Sequence, residues 1–140
     1  KPGRPMMFGQ IGDTVVLGLP GNPVAVLVCF LLYARAVIGH LAGASVTPPV
    51  AYTLPAAFAI DRKKTGRREF LRGWTEADPE TGVLNAHKFP RDGSGLVSGL
   101  QAAYGLIDLP EHVDAVALGD PVRFIPFAEM GLMPGWSGDG

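Results

Sequence analysis

This chain has little cysteine, little excess charge and no long apolar run, and each shortage argues against a class of protein. Its single cysteine, Cys29, excludes an internal disulfide framework and fits a reducing compartment. With 12 basic and 13 acidic residues the net charge is −1, so no global field attracts nucleic acid or a membrane. The apolar run after Pro23 ends at Arg35, so it is much shorter than the roughly 20 residues that a membrane span needs. We therefore expect a cytoplasmic protein with no nucleic-acid or membrane partner.

Catalytic and metal-binding signatures are also scarce. His40, His87 and His112 are scattered without metal-ligand spacing, and the sequence has neither a Gly-x-Ser-x-Gly elbow nor a Walker lysine motif. Acidic side chains are dispersed and form no pair suited to magnesium. The residues thus predict no metal site in this chain and weaken the case for a hydrolase or P-loop enzyme. Cys29 lies in an apolar run, where a buried and unreactive thiol is expected.

Apolar periodicity divides the chain into two blocks. In the first, residues 6–11 and 14–19 are predicted strands around a Gly-Asp turn, and residues 23–41 form a helix that ends at Gly43. This helix is apolar on nearly every face, which predicts burial on several sides. The proline-containing stretch at 44–49 reads as a linker.

Short runs separated by turn residues fill the second block, a pattern typical of a small, mostly antiparallel β-barrel or sandwich. Strands are predicted at residues 50–60, 67–75, 82–89, 106–109 and 122–126, a hairpin turn at 77–82 and a helix at 96–104. The whole chain is expected to be α+β, with domains at residues 1–45 and 46–128 and a flexible tail at 129–140.

A Gly-Leu-Pro-Gly-Asn-Pro turn joins the second predicted strand directly to the helix, and an anion could sit there. Pro23 suits the first helical position, Asn22 suits the N-cap, and Gly21 lets a ligand approach the backbone. Lys1 and Arg4 add cations that could reach the same anion. A well-capped turn without a ligand uses the same residue types. The flanking basic segment favours a site.

The second block offers further groups that could donate to an oxyanion. A basic run at residues 62–68 leads into a strand, where alternation places Arg67 and Arg68 on opposite faces. An arginine at a strand start could clamp a tetrahedral oxyanion, and a solvated hairpin face is the plainer alternative. A nucleic-acid patch is disfavoured by the near-neutral charge. Ser94, in a Gly-Ser-Gly loop, could cap the following helix or donate to an oxyanion.

Five motifs occur in order: Lys-Pro-Gly-Arg-Pro (1–5), Gly-Leu-Pro-Gly-Asn-Pro (18–23), Gly-Arg-Arg-Glu-Phe-Leu-Arg-Gly (66–73), Gly-Ser-Gly (93–95) and Gly-Asp-Pro-Val (119–122). Together they closely resemble the molybdopterin molybdenumtransferase family, whose members include bacterial MoeA and the E domain of gephyrin. The resemblance covers residues 1–127. It implies that the chain joins the terminal hairpin and helix of an α/β molybdopterin-binding domain to a small C-terminal β domain.

The resemblance also implies a function, namely insertion of molybdenum from molybdate into adenylylated molybdopterin with release of AMP. A homodimer is implied, with Mg²⁺ or another divalent cation held outside this chain and a molybdopterin adenylyltransferase as a candidate partner. The chain would carry only part of the site and be inactive alone. A non-catalytic scaffold that binds partner peptides, as gephyrin does, is the alternative.

Carried onto this sequence, the resemblance assigns catalytic roles to Lys1, Arg67 and Ser94. It assigns cofactor binding to Lys1, Arg4, Pro20, Gly21, Asn22 and Pro23. Two positions depart from the family pattern: Arg4 stands where lysine is usual, and Ala25 stands where serine is common. The first replaces a compact ammonium with a planar fork, and the second removes a hydroxyl.

Overall fold

The computed structural model of the chain describes residues 6–21, 23–90 and 104–131. The chain divides into two compact units, Lys1–Pro48 and Pro49–Gly140. Assigning the first unit to an α/β molybdopterin-binding domain stays a prediction.

In the first unit a hairpin precedes a helix. Strand β1 (Met7–Ile11) pairs antiparallel with β2 (Thr14–Gly18). The helix follows in three consecutive parts, α1 (Pro23–Cys29), a π-helical segment (Phe30–Ala34) and α2 (Arg35–Leu41). These elements confirm the predicted hairpin and helix, although the π-helical turn was not predicted.

Gly43 ends this helix, as predicted, in the left-handed conformation with φ of 75°. The N–H of Ala44 donates to the carbonyl of Gly39 at 2.9 Å, and the N–H of Gly43 donates to that of His40 at 3.0 Å. These two bonds form a Schellman motif, in which a glycine avoids the steric cost of positive φ.

The described part of the first unit leaves much of its apolar surface open. Leu31 and Ala34 are its buried side chains. Large apolar side chains stay exposed on both elements: Met7, Phe8, Ile11, Phe30, Tyr33, Ile38 and Leu41. The helix sequence predicts burial on several sides, but the described residues of the first unit do not provide that burial. Within the described ranges, no helix is long and apolar enough to cross a membrane.

The second unit is a five-stranded antiparallel sheet that nearly closes into a barrel, in agreement with the predicted fold class. Its strands are β3 (Tyr52–Pro55), β4 (Glu69–Ala77), β5 (Leu84–Lys88), β6 (Tyr104–Leu109) and β7 (Pro121–Pro126), in the order β3-β7-β6-β4-β5. The two edges meet just beyond β3, where Ala56 bridges Ala86 in parallel and the N–H of Ala57 donates to the carbonyl of Ala86 at 2.8 Å.

One face of this sheet forms the core. Its buried members are Ala56, Phe58, Ala86, Ile107, Leu109, Val116, Val122 and Phe124. Gly73 and Gly105 lie opposite each other on β4 and β6, where a Cβ at either position would approach a backbone carbonyl oxygen to 2.4 or 2.3 Å. Only glycine fits there, which accounts for the glycine that closes the 66–73 motif.

Two predictions about the second unit need correction, and a third is largely untested. The strand predicted at 50–60 is shorter, because the chain leaves regular pairing after Pro55 and makes only isolated bridges, from Ala56 to Ala86 and from Ile60 to Val116. The helix predicted at 96–104 falls outside the described residues except at Tyr104, which begins β6.

The predicted flexible tail is wrong at its start. Glu129 and Met130 belong to a 3₁₀ helix (Phe127–Met130), and Met130 is 1% exposed. The Tyr52 hydroxyl donates to Glu129 Oε1 at 2.9 Å, and this bond raises the pKa of Tyr52. The 3₁₀ helix is therefore tied to β3, and residues 132–140 lie outside the described part.

Candidate functional site

The strand-to-helix turn has the geometry that the sequence predicts at the positions the structure describes. Strand β2 ends at Gly18, and Pro23 is the first residue of α1. Pro20 is half-buried, whereas Gly21 is exposed, and a Cβ built on Gly21 would meet no atom within 4 Å. A ligand can therefore approach the backbone at Gly21. Lys1, Arg4 and Asn22 lie outside the described residues.

Three residues were predicted to be catalytic, and Arg67 is the one that lies within the described residues. It belongs to the second unit. It ends a segment that we call the basic loop, residues 61–67, two residues before β4 begins. Its side chain is exposed, and no described carboxylate forms a salt bridge with its guanidinium. This guanidinium can bind an anion from solution. Ser94 lies outside the described residues, so its convergence with Arg67 and the turn stays a prediction.

The basic loop is held in place by a lysine that sequence reasoning did not single out. Lys63 is 5% exposed, and its Nζ donates to the backbone carbonyls of Pro110 at 3.1 Å, Val113 at 3.3 Å and Lys64 at 3.4 Å. A further bond goes to the carbonyl of Arg67. The loop is thereby fastened to the segment that follows β6.

A second contact fastens the same loop. Gly66 has φ of 78°, and its N–H donates to the carbonyl of Glu111 at 3.0 Å. A positive φ is strained for residues other than glycine, so this glycine permits the turn that leads into Arg67. The backbone on both sides of the Gly66–Arg67 peptide is therefore anchored to the loop between β6 and β7.

The neighbouring Arg68 has a different environment. Its Nε and Nη2 donate to the two oxygens of Asp108 at 2.7 and 2.6 Å, and the Asp108 side chain is 0% exposed. Arg123 Nε lies 3.7 Å from the same carboxylate. Arg68 also lies over the ring of Phe70, 5.4 Å from its centre. Asp108 interrupts an apolar strand, and that interruption was the sequence signal for a buried ion pair.

A pocket of about 450 Å³ borders the basic loop. Its lining combines the cations Arg62, Lys63 and Lys64 with the acids Asp61 and Asp114. The Lys63 ammonium is already bonded to backbone carbonyls, so the remaining two cations and two acids do not select an anion. We therefore assign no ligand to it.

An aromatic row lies beside Arg72 of β4. Trp74 stacks on His87 with ring centres 5.1 Å apart and contacts Phe89 at 4.6 Å, and Phe89 meets Tyr104 edge-on at 5.1 Å. Arg72 lies over Phe89 at 5.8 Å. These rings already pack against one another on the sheet, which accounts for them without a stacked nucleic-acid base.

The described residues provide little for a metal or for thiol chemistry. No group of three or more His, Cys, Asp or Glu side chains in that part of the chain is placed to share a metal ion. Cys29 is half-buried rather than fully buried, and desolvation raises the pKa of its thiol. A raised pKa lowers the thiolate fraction, which agrees with the unreactive thiol predicted.

Comparison with known proteins reveals relatives over most of the chain. A family model described as the MoeA C-terminal region (domain IV) matches residues 53–127. The molybdopterin molybdenumtransferase of Haemophilus influenzae is 31% identical over 127 residues, which cover 91% of this chain and 31% of that protein. The molybdenum cofactor synthesis protein cinnamon of Drosophila melanogaster is 34% identical over 129 residues, which cover 90% of this chain and 21% of that protein.

Comparison with solved structures also identifies a MoeA protein as similar. The molybdopterin biosynthesis MoeA protein of Pyrococcus horikoshii superimposes with a TM-score of 0.66 at 26% identity, covering 97% of this chain and 30% of that protein. The chain thus spans less than a third of the length of each of these relatives.

Proposed function

Because this chain belongs to the family of the MoeA C-terminal region (domain IV), we propose that it is the C-terminal part of a molybdopterin molybdenumtransferase. The observation that carries the proposal is that relatives with this printed name match most of the chain, including both of its units. The whole protein would act in molybdenum cofactor biosynthesis, transferring molybdenum from molybdate to adenylylated molybdopterin and releasing AMP.

Arg67 supports this proposal through its chemistry. Molybdate is a tetrahedral anion with acceptor oxygens only, so it is bound by groups that donate hydrogen bonds. Arg67 offers an exposed guanidinium on an anchored loop. We propose that Arg67 and Ser94 bind molybdate. The pterin phosphate would be bound by Lys1, Arg4, Pro20, Gly21, Asn22 and Pro23. The protein would hold two anions together and offset their repulsion.

The remaining parts of the proposal concern the whole protein. The described residues contain no acidic cluster that fits Mg²⁺ or another divalent cation, and we propose that its ligands belong to other parts of the enzyme. We further propose a cytoplasmic homodimer that receives its substrate from a molybdopterin adenylyltransferase.

Calorimetric titration of sodium molybdate and AMP tests the proposal. The whole protein should bind both anions, and Arg67→Ala or Ser94→Ala should weaken molybdate binding. Each lost charge-assisted bond is worth about 1.5 to 3 kcal/mol, or roughly ten- to hundredfold in affinity. Arg62→Ala is the matched control, because it removes an exposed arginine from the same loop.

The 140-residue chain alone should bind only in the millimolar range, because two or three such bonds barely exceed the cost of association. A micromolar constant for it would show that the site is complete within this chain. Failure of the whole protein to bind either anion would contradict the enzyme proposal and favour a peptide-binding scaffold.

A further inference from the structure

Lys63 is an unusual group, because its ammonium is buried without an acidic partner among the described residues. The four acceptors within reach of Nζ are all backbone carbonyls. Removing an ammonium from water is costly unless other dipoles replace the water. Four carbonyls exceed the three N–H donors of the group, so its hydrogen bonds are fully satisfied.

These carbonyls lie on two different loops, so the lysine connects the two. Two belong to the lysine's own loop, at Lys64 and Arg67, and two belong to the loop after β6, at Pro110 and Val113. The backbone N–H of Lys63 also donates to the carbonyl of Asp114. The ammonium thus joins two loops, and one of its bonds ends at the carbonyl of Arg67 itself.

We propose that Lys63 is a positioning residue, whose buried ammonium fixes the backbone at Arg67 and so sets where the Arg67 guanidinium meets its anion. The role of Arg67 in this inference rests on the proposed function; the control of the loop by Lys63 does not. Lys63 itself contacts no substrate. It limits the conformations of the loop, so that less conformational entropy is lost when the anion binds.

The test compares Lys63→Met with Lys64→Met in the whole protein. Methionine keeps the approximate length of the side chain and removes the ammonium, and Lys64 is the exposed neighbour. Amide hydrogen exchange should become faster in Lys63→Met at Gly66, whose N–H is bonded to the carbonyl of Glu111, and should stay unchanged in Lys64→Met. The KM for molybdate should rise roughly 10- to 100-fold in Lys63→Met, because small misplacements of a binding group have effects of that order. The KM for adenylylated molybdopterin should change far less.

Chemical rescue separates the ammonium from simple packing. Lys63→Ala should leave the carbonyls open to a small cation, so propylammonium should slow exchange at Gly66 and lower the KM for molybdate. Tetramethylammonium, which has no N–H donor, should do neither. Equal effects of the two ions would overturn the proposal. If Lys63→Met or Lys63→Ala fails to fold, Lys63→Gln replaces them in the exchange test. Its amide can still donate to some of the carbonyls, so exchange at Gly66 should become faster than in the unaltered protein, and no change in exchange would overturn the proposal.

Two further outcomes distinguish this inference from the proposed function. If Arg67→Ala leaves the KM for molybdate unchanged, the proposed role of Arg67 fails, and so does the effect of Lys63 on substrate. If Arg67→Ala raises that KM but Lys63→Met changes neither exchange at Gly66 nor the KM, the positioning role alone is overturned.

Discussion

Arg67 and Arg68 are adjacent residues of the same type in different environments. Arg67 is exposed at the end of the basic loop, whereas Arg68 clamps the buried carboxylate of Asp108. A strand reverses its side-chain direction at each residue, so the sequence predicts that the two arginines separate. It does not predict the partner, because Asp108 lies 40 residues further along the chain.

We expect Arg68→Met to lower the free energy of unfolding by about 1.5 to 3 kcal/mol, because it leaves a buried carboxylate without its two charge-assisted hydrogen bonds. Arg123→Met should cost less, since Arg123 Nε lies 3.7 Å from the same carboxylate. Urea unfolding of the two variants beside the unaltered chain measures both effects.

The control for this prediction removes both charges. Arg68→Met combined with Asp108→Leu should recover much of the lost stability, because an apolar pair avoids the desolvation cost of a buried ion. Equal destabilisation by Arg68→Met and Arg123→Met, or a double variant as unstable as Arg68→Met, would show that Arg68 does not neutralise Asp108.

The burial of Lys63 is a feature of the candidate site that the sequence does not predict. It stands in a run of five basic residues at 62–68 that look alike in the sequence. Its burial depends on carbonyls at Pro110 and Val113, which no local pattern reveals. Arg67 became a candidate because it stands at the start of a predicted strand and because a motif of the family includes it, and neither argument applies to Lys63.

At the scale of elements, the turn between β4 and β5 illustrates what local chemistry can predict. Asp78 Oδ1 accepts hydrogen bonds from the N–H groups of Thr81, at 2.8 Å, and Glu80, at 2.9 Å. These bonds stabilise the charged carboxylate and lower the pKa of Asp78. The aspartate, proline and glycine at residues 78–82 predict this turn, and the structure confirms it.

The lowered pKa of Asp78 gives a pH-dependent prediction. Because the folded-state pKa lies below the unfolded value of about 3.9, the contribution of Asp78 to stability is present above that pH and is lost as the pH falls through the folded pKa. Asp78→Ala should therefore lower the Tm at pH 7, and its difference from the unaltered chain should shrink towards pH 2. Thermal unfolding across this range measures the difference.

Asp78→Asn is the control, since it keeps an acceptor oxygen without the charge. Its Tm should lie between those of Asp78→Ala and the unaltered chain at pH 7. A loss of stability that is the same at pH 7 and pH 2 would mean that the carboxylate charge does not contribute.

Elements with strong local signals were predicted well, and those set by distant contacts were not. The helix at 23–41 and its glycine terminus follow from apolar residues and Gly43. The predicted strand at 50–60 was too long, because its second half is shaped by bridges to Ala86 and Val116. The second half of the 3₁₀ helix, residues 129–130, was predicted as tail although Met130 is buried, because a single apolar residue carries no periodicity.

At the scale of the whole molecule, the two units differ in how far they bury their own apolar surface. The second unit encloses a core of eight buried side chains under a nearly closed sheet. The first has a two-stranded hairpin and a helix with Leu31 and Ala34 as its buried residues in the described range. A two-stranded hairpin is marginal by itself, and apolar patches left open promote association. The second unit should be independently stable, and the first should not.

We therefore expect residues 49–140 alone to unfold cooperatively on heating and to elute as a monomer in size-exclusion chromatography with light scattering. The 140-residue chain should self-associate, because Phe8 and Ile38 are exposed at 66% and 53% among other apolar side chains of the first unit. Substituting both with lysine should reduce the association without altering the unfolding of residues 49–140. If the unaltered 140-residue chain is a monodisperse monomer, the exposed apolar side chains of its first unit do not drive association, and this prediction is wrong.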